Sequence, residues 1–494
     1  MRLRRLMPAS AIGLALLLAV SPVAAAGPAT GAWSAIGPAV PALFGPSRFS
    51  GMSGAQAGPD GLIYAYGVFQ DAAGDPTADN LFIYDPVANT VVGLGSDGAG
   101  NGALNSSVDA IAWYGGLLYV GGSFTNAGGV AGASYLAAWN GHEWLSVGTV
   151  NGWVSSLAVG GGLLYAGGLF FNAGGTTGAT FIAAYDGYTW SKVGSGAGPG
   201  GSPLNERVYS LAALPDGRLY AAGMFSDAGG NPDADLAAWW DPASESWEKI
   251  GTAAGSPFLS GTAYAIAVSG NRVSVGGCFV DVNGDPLADY AAEWSGTAWV
   301  HYGTDGAGGA SLNDCVYSLL FYGTNVIVGG GFGNAGGLAT ADRIANWNGT
   351  SWVALGNSAM GQAVYGLARQ GRTLYAAGSM KDVAGIAAAD GIAAFGLPAG
   401  PSAPRLPAGV AGLHKVSLTW SAPLTGNGAS VRDYVIQYRK TGTLAWRTFN
   451  DGVSTRRTAT VTGLHSGWSY QFRVLAKNAW GNGTASAIVK KTAR

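Results

Sequence analysis

Cysteine, histidine and charge are scarce in this chain of 494 residues. It contains two cysteines and four histidines, and only 11% of its residues are charged. The sequence has no HExxH motif, and no GxSxG motif with a plausible histidine partner. Zinc-protease and serine-hydrolase chemistry therefore have no support. Beyond the first 26 residues, no apolar run is long enough to span a bilayer.

Glycine and apolar residues are abundant instead, with 83 glycines and 48% hydrophobic residues, which is typical of all-β structure with many turns. One segment recurs seven times, about 50 residues apart, and this period indicates a repeat architecture. The copies are Ile63–Gly74, Leu118–Gly129, Leu164–Gly175, Leu219–Gly230, Val273–Gly284, Val326–Gly337 and Leu374–Gly385. Their anchor residues are Phe69, Phe124, Phe170, Phe225, Phe279, Phe332 and Met380.

Each repeat predicts four short strands. In the second repeat, apolar or aromatic runs bounded by turn residues cover Val108–Trp113, Leu117–Phe124, Tyr135–Trp139 and Trp144–Val147. Glycine-rich pairs between the runs suit tight hairpin turns, so the four strands form one antiparallel blade. The recurring tryptophan of the fourth strand is expected to fill the gap between neighbouring blades. Small Ala and Gly residues in the middle strands are expected to let the blades approach closely.

The seventh repeat ends early, because no tryptophan strand follows Gly391–Phe395. The segment Ala32–Gly37 matches the missing strand, so the N-terminus is expected to complete the last blade. The double glycines and tryptophans resemble those of kelch and galactose-oxidase-like propellers of the bacterial secreted repeat type. The resemblance implies a seven-bladed β-propeller over residues 31–396. Galactose-oxidase chemistry is not expected, because this region has only His142 and His301 and no cysteine beside a suitable tyrosine.

The N-terminus predicts export. Met1–Ala26 has an arginine-rich start, an apolar stretch and a small-residue cleavage site, as in a secretory signal peptide. We therefore expect a secreted, extracellular or cell-surface protein without a transmembrane segment.

The C-terminal part predicts a second domain. After a Pro-rich linker at 397–407, residues 408–494 resemble a fibronectin type III domain, an immunoglobulin-like β-sandwich. The resemblance rests on a strand with a core tryptophan at Val416–Trp420, an alternating strand at Tyr434–Arg439, and Tyr470 at the tyrosine-corner position.

Charge is divided unevenly between the two parts. Residues 401–494 contain thirteen Lys and Arg against two Asp and Glu, whereas residues 27–400 contain ten against 26. The basic domain could bind an anionic cell-wall polymer, dock on the acidic propeller, or simply be solvated. A nucleic acid is not expected as the partner of an exported protein.

We expect ligand-binding residues in the long loops, which connectivity places on one face of the blades. The proposed ligand-binding carboxylates are Asp71, Asp75, Asp79, Asp227, Asp281, Asp285 and Asp289. The second residue after every anchor is Asp or Asn, which predicts either an Asx turn or, less readily, a repeated ligand group. Asp281, Asn283 and Asp285 have calcium-like spacing, so calcium is the one cofactor considered.

The two cysteines have positions that suit a bond. Cys278 lies at the end of the second strand of the fifth repeat, and Cys315 lies at the start of the first strand of the sixth repeat. The two positions are on the same face of adjacent blades. Export then favours a disulfide over two free thiols.

The preferred function is that of a non-catalytic binding protein. The propeller loops would recognise an extracellular glycan or protein, and the type III domain would act as a spacer or tether. The alternative is an extracellular polysaccharide-acting enzyme, either a glycoside hydrolase or a lyase, although no catalytic pair is evident in the sequence.

Overall fold

The computed structural model describes residues 30–37, 43–44, 49–251, 260–356, 360–386, 388–427 and 429–494. The predicted signal at 1–26 lies outside the described residues. Among the residues that are described, no helix is long and apolar enough to cross a membrane.

The described residues from 30 to 396 form seven antiparallel sheets of four strands each. Their strands follow in chain order. The first is β1 (Trp33–Ala35), which belongs to sheet 7. Sheet 1 contains β2 (Phe49–Ala57), β3 (Ile63–Phe69), β4 (Leu81–Asp85) and β5 (Thr90–Gly93). Sheet 2 contains β6 (Val108–Tyr114), β7 (Leu117–Gly122), β8 (Leu136–Trp139) and β9 (Trp144–Ser146). Sheet 3 contains β10 (Trp153–Gly160), β11 (Leu163–Leu169), β12 (Ile182–Tyr185) and β13 (Trp190–Ser191).

The remaining sheets repeat this order. Sheet 4 contains β14 (Val208–Ala213), β15 (Leu219–Gly223), β16 (Ala237–Asp241) and β17 (Ser246–Lys249). Sheet 5 contains β18 (Ser260–Ser269), β19 (Arg272–Val280), β20 (Ala291–Trp294) and β21 (Trp299–His301). Sheet 6 contains β22 (Val316–Tyr322), β23 (Asn325–Gly330), β24 (Ile344–Trp347) and β25 (Trp352–Ala354). Sheet 7 contains β26 (Val364–Gln370), β27 (Thr373–Gly378), β28 (Ile392–Gly396) and β1.

Short 3₁₀ turns lie in the loops. Seven of them follow the second strands, at Ala72–Gly74, Ala127–Gly129, Ala173–Gly175, Ala228–Gly230, Val282–Gly284, Ala335–Gly337 and Val383–Gly385, and another lies at Pro199–Gly201.

The prediction that the N-terminal strand completes the last sheet is confirmed. β1 pairs antiparallel with β28, with Trp33 opposite Phe395. The rings of these two residues lie 4.9 Å apart between centroids. Sheet 7 is thus built from the two ends of the repeat region.

The recurring tryptophans join neighbouring sheets, as predicted. In six of the seven sheets the tryptophan of the fourth strand donates its indole N–H to a main-chain carbonyl at the end of the preceding sheet. The pairs are Trp144 to Leu94, Trp190 to Val147, Trp247 to Val193, Trp299 to Ile250, Trp352 to Tyr302 and Trp33 to Leu355. Sheet 1 has Val91 in the corresponding position, opposite Tyr84.

Small residues permit close approach between neighbouring sheets. A Cβ on Gly121 would lie 2.6 Å from the Val154 side chain of the next sheet, so only glycine fits there. The first strand of each sheet packs against that of the next, and β26 of sheet 7 packs against β2 of sheet 1. At this last contact, a Cβ on Gly366 would lie 2.5 Å from the Gly54 Cα.

The C-terminal residues form two sheets packed face to face around one core. The first sheet contains β29 (Arg405–Gly412), β30 (Lys415–Ser421) and β33 (Thr458–Thr462). The second contains β31 (Asp433–Lys440), β32 (Arg447–Phe449), β34 (Ser469–Asn478), β35 (Gly481–Ala485) and β36 (Val489–Thr492). Trp420, Tyr434 and Phe472 are among the buried residues between the sheets. β29 begins within the predicted linker, which is possible because it is an edge strand and tolerates proline.

The C-terminal sandwich is docked on the repeat region through a contact formed by Tyr322, Asn348, Pro398 and Trp480. Trp480 is 9% exposed and packs with the core of sheet 7 and neighbouring residues rather than with the sandwich core. The Tyr322 hydroxyl donates to the Pro398 carbonyl at 3.2 Å. The Asn348 amide donates to the Ala479 carbonyl at 3.2 Å. Because Tyr322 and Asn348 lie beside short strand-connecting turns, the sandwich occupies the face opposite the long loops.

Candidate functional site

The Asp or Asn residue that follows each anchor adopts the left-handed conformation. The seven residues have φ between 48° and 53°. They are Asp71, Asn126, Asn172, Asp227, Asp281, Asn334 and Asp382. None makes a side-chain capping hydrogen bond to the turn that follows, so the predicted Asx turn is wrong in its hydrogen bond. Asp and Asn occur here because they tolerate the left-handed region better than other residues with a Cβ.

A second residue closes each of these loops. The main-chain N–H of each left-handed residue donates to the side chain eight residues later. The acceptors are Asp79, Ser134, Thr180, Asp235, Asp289, Asp342 and Asp390. The repetition of this bond in all seven sheets gives these acceptors a structural role.

The predicted carboxylates of sheet 1 have internal partners. Asp75 accepts hydrogen bonds from the Thr77 N–H and hydroxyl and from the Gly93 N–H. Burial raises the pKa of Asp75, but these three donors outweigh it and the pKa is lowered overall. Asp79 accepts from the N–H groups of Asp71 and Gly102. These carboxylates hold the loop in place.

The calcium-like cluster is arranged in the same way. Asp289 accepts from the Asp281 N–H at 2.9 Å, and Asp285 lies 2.8 Å from the His301 Nδ1 and accepts from the Leu287 N–H. Asn283 is a left-handed residue inside the 3₁₀ turn. Within the described part of the chain, no three His, Cys, Asp or Glu side chains are grouped to hold a metal ion. Calcium binding therefore stays a prediction without a preformed group of acidic ligands.

The two cysteines are bonded to each other. Cys278 and Cys315 form a disulfide with a Cα–Cα distance of 4.5 Å, and the bond joins β19 of sheet 5 to the segment preceding β22 of sheet 6.

A central cavity of about 530 Å³ is lined by the first strands of all seven sheets. Every first strand has a β-bulge near its start, and the extra residue of the bulge lines the cavity. These residues are Ser53, Asp109, Ser155, Tyr209, Tyr264, Tyr317 and Tyr365. Because each bulge lies soon after a long loop, the cavity is close to the long-loop face.

One side of the cavity is aromatic. Four successive sheets contribute a tyrosine, and we call this set the tyrosine arc (Tyr209, Tyr264, Tyr317 and Tyr365). Neighbouring ring centroids lie 4.9, 5.5 and 5.2 Å apart. The rings are tilted with respect to one another, and Tyr365 is 41% exposed. The arc is a continuous surface on which a ring-shaped ligand can stack.

The opposite side of the cavity contains a partly buried carboxylate. Asp109 accepts hydrogen bonds from the Ser53 hydroxyl at 3.2 Å, the Ser107 hydroxyl at 2.9 Å and the Trp153 indole N–H. Burial raises the pKa of Asp109, and the three donors together with the nearby Arg207 charge offset this only in part. The carboxylate connects sheets 1, 2 and 3 at the cavity wall.

Arg207 lies between two rings at the start of β14. Its guanidinium carbon is 3.6 Å from the centroid of the Trp153 ring and 4.3 Å from that of Tyr209. Burial lowers the pKa of Arg207, although the value starts so high that the side chain stays charged. Its Nε is buried and has no hydrogen-bond partner.

The sequence reasoning missed this cavity because it looked for function only in the long loops. A signal was present, since Val208-Tyr209, Val316-Tyr317 and Val364-Tyr365 occupy equivalent positions in their repeats. Strand alternation alone does not predict that these tyrosines face the central cavity, because each bulge shifts the alternation of the first strand by one residue.

The C-terminal sandwich has the predicted tyrosine corner, in which the Tyr470 hydroxyl accepts from the His465 N–H at 3.1 Å. A family model described as "Fibronectin type III domain" matches residues 402–492. These residues form a fibronectin type III domain. On the second sheet of the type III domain, the guanidinium carbons of Arg439 and Arg473 lie 4.4 and 4.2 Å from the centroid of the Trp446 ring.

The curated relatives match this domain only over a small part of their length. "Protein turtle" of Drosophila melanogaster is 32% identical over 89 residues, which is 18% of this chain and 6% of that protein. "Juxtamembrane domain-associated catenin" of Caenorhabditis elegans is 42% identical over 88 residues, or 17% of this chain and 7% of that protein. This chain therefore spans less than a tenth of either relative. Among solved structures, the type III domain of human fibronectin type III domain containing protein 3 is 27% identical, covering 19% of this chain and 87% of that one, with a TM-score of 0.18.

Proposed function

We propose that the seven sheets close into a seven-bladed propeller, and that the protein is a secreted, non-catalytic binding protein whose central cavity takes a glycan. The contact between β26 and β2 supports the ring, since it joins the last sheet to the first. The pairing of β1 with β28 supports it as well, because it connects the two ends of the repeat region.

The observation that carries the function is the tyrosine arc within a cavity of about 530 Å³. This volume falls in the usual range for small-molecule sites, about 300–1,000 Å³. A sugar ring has apolar C–H faces that stack on aromatic rings, and its hydroxyls bond to polar groups beside them. The cavity offers both, because serine hydroxyls from several first strands line it together with the tyrosines.

A binding role is favoured over glycan cleavage for a chemical reason. Glycoside hydrolysis ordinarily uses two carboxyl groups on either side of the scissile bond. Among the described residues that line the cavity, Asp109 is the only one with a carboxylate. Its three hydrogen bonds within the wall suit a structural role rather than proton transfer.

The test uses the full secreted chain on a glycan array, followed by titration of the best glycans. We expect binding that Tyr317→Ala weakens at least tenfold, because the middle of the stacking surface is lost. Tyr188→Ala is the matched control, since Tyr188 is 91% exposed and lies outside the cavity. Release of reducing sugar from a bound glycan would instead support the polysaccharide-acting alternative. Absence of any binding would reject a glycan function.

A second proposal concerns the type III domain as a tether to an anionic cell-wall polymer. Arg439 and Arg473 lie on one face of the second sheet, and β-strand alternation places Lys477 and Lys490 on the same face. Such a cluster attracts polyanions in a salt-dependent way. The full chain should be retained by immobilised polyglutamate at low salt and released at high salt. The double variant Lys477→Gln/Lys490→Gln should elute at lower salt, and an unchanged elution would contradict the proposal.

A further inference from the structure

Arg207 presents only its edge to the cavity. Trp153 and Tyr209 cover the two flat faces of its guanidinium group, at 3.6 and 4.3 Å from their ring centroids. Its main chain is fixed as well, because the Arg207 carbonyl accepts from the Met224 N–H at 2.9 Å. A guanidinium group held in this way can bind a further partner only in its own plane.

The hydrogen bonding of this group is incomplete in the protein alone. The buried Nε of Arg207 has no partner. Because this nitrogen is buried, a ligand in the cavity meets the guanidinium group through its two terminal nitrogens. Asp109 is the nearby acid, but both of its oxygens already accept bonds from Ser53, Ser107 and Trp153. Asp109 instead fixes the Trp153 ring on which Arg207 stacks.

A carboxylate fits the edge formed by the terminal nitrogens of the guanidinium group. A carboxylate is planar and has two oxygens that can accept two parallel N–H bonds from one guanidinium edge. Among the described residues lining the cavity, Arg207 is the only cation, so an acidic ligand has one place to bind. The surrounding surface is acidic, with 26 Asp and Glu against ten Lys and Arg in residues 27–400, and so would not attract anions nonspecifically.

The remainder of the cavity indicates what carries the carboxylate. The tyrosine arc follows directly from Tyr209, which covers one face of Arg207, so a ring attached to the carboxylate would lie against the arc. Exposed apolar side chains, including Val68, Leu169 and Met224, lie at the ends of the second strands beside this opening. We infer that Arg207 selects a carboxylate-bearing sugar of the uronate class, with its carboxylate on the Arg207 edge and its ring on the tyrosine arc.

This inference rests on the proposed glycan-binding function, and the experiment separates the two. The full chain is titrated calorimetrically at physiological salt with trigalacturonate, with its methyl ester, and with a sulfated neutral trisaccharide. We expect the acid to bind at least tenfold more tightly than the ester. Tyr317→Ala should weaken the acid and the ester by similar factors, because both stack on the arc.

Variants of Arg207 test the assignment directly. Arg207→Gln should remove the preference for the acid while leaving the binding of the ester within a few-fold. Arg207→Lys should restore little of the preference, because an ammonium group cannot donate two parallel bonds in a plane. Tyr188→Ala is the matched control and should bind trigalacturonate as the unchanged chain does, because Tyr188 is exposed and lies outside the cavity. Circular dichroism shows whether each variant is folded.

The comparison of acid and ester in the unchanged chain does not depend on any variant. Equal binding of the two would overturn the uronate inference and leave the glycan function standing. Preferential binding of the sulfated sugar would also overturn it, since the selected group would not be a carboxylate. If none of the three binds and the glycan array is also blank, the proposed function and the inference both fail.

Discussion

Replacement of Trp33 tests whether the N-terminal strand holds the whole ring together. Trp33 is 7% exposed, stacks on Phe395 and donates its indole N–H to the Leu355 carbonyl at 2.7 Å. It therefore connects sheet 7 internally and also joins it to sheet 6.

The expected loss follows from these contacts. Replacing a buried tryptophan with alanine costs about 3–5 kcal/mol, through lost burial and the cavity that is left. Trp33→Phe keeps most of the ring and removes only the indole N–H, so its cost is expected to be about 1–2 kcal/mol. Tyr188→Ala is the control in an exposed turn and is expected to change the free energy of unfolding by less than about 0.5 kcal/mol.

The assay is urea unfolding followed by far-ultraviolet circular dichroism, which does not depend on tryptophan fluorescence. If the sheets form a closed ring, Trp33→Ala should move the main unfolding transition of the repeat region as a single step to lower urea. A loss of less than about 1 kcal/mol for Trp33→Ala would refute the reasoning. A separate early transition that leaves the main one in place would refute it too, since sheet 7 would then unfold alone.

Three further predictions concern the loops, the disulfide and the docking contact. Asn334 has a φ of 53°, so Asn334→Val should cost about 1–2 kcal/mol while Asn334→Gly is nearly neutral, and equal urea midpoints would contradict this. Replacing Cys278 and Cys315 together by serine should lower stability by about 4 kcal/mol in the chain-entropy estimate for a separation of 37 residues, and dithiothreitol should then have no additional effect. Trp480→Ala should release the type III domain from the repeat region without unfolding it. Limited proteolysis would detect this as faster cleavage between the two domains. An unchanged rate of cleavage would argue against the docking contact.

The sequence was sufficient to predict features that depend on repeated local chemistry. Paired glycines such as Gly115 and Gly116 have positive φ in a tight hairpin, as their position between two apolar runs indicates. The unmatched strand at Trp33 could be assigned because its tryptophan repeats in other copies. The type III domain was recognisable from Trp420 and Tyr470, which occupy the core and the tyrosine corner.

Features set by tertiary hydrogen bonding could not be predicted in this way. Tyr135 and Leu236 precede third strands with φ of 64° and 59°, a conformation that their side chains disfavour. The conformation is held by bonds at both ends, since the Tyr135 N–H donates to the Phe124 carbonyl and its own carbonyl accepts from Gly122. No local pattern marks such a residue, and the predicted strand accordingly began one position too early.

The candidate site was mislocated for a related reason. Acidic residues in loops suggested ligand binding, but Asp79 and Asp289 are used to close the loops on themselves. Asp109 lies in the first strand of sheet 2 and Arg207 directly precedes that of sheet 4, and the two meet through Trp153 of sheet 3, which depends on how the sheets pack. A sequence pattern gives the strands but not the residues that meet at the common centre.

The docking contact has a consequence for valency. Trp480 fixes the type III domain beside the short turns, whereas the cavity lies towards the long loops at the other end of the repeat region. Two proposed binding sites at opposite ends of the molecule are not bridged by a single short oligosaccharide, and docking of the domains reduces the avidity that a flexible linker would provide. With both proposed sites occupied, one molecule would connect two separate polymers at a set spacing, and so would act as a cross-link between them.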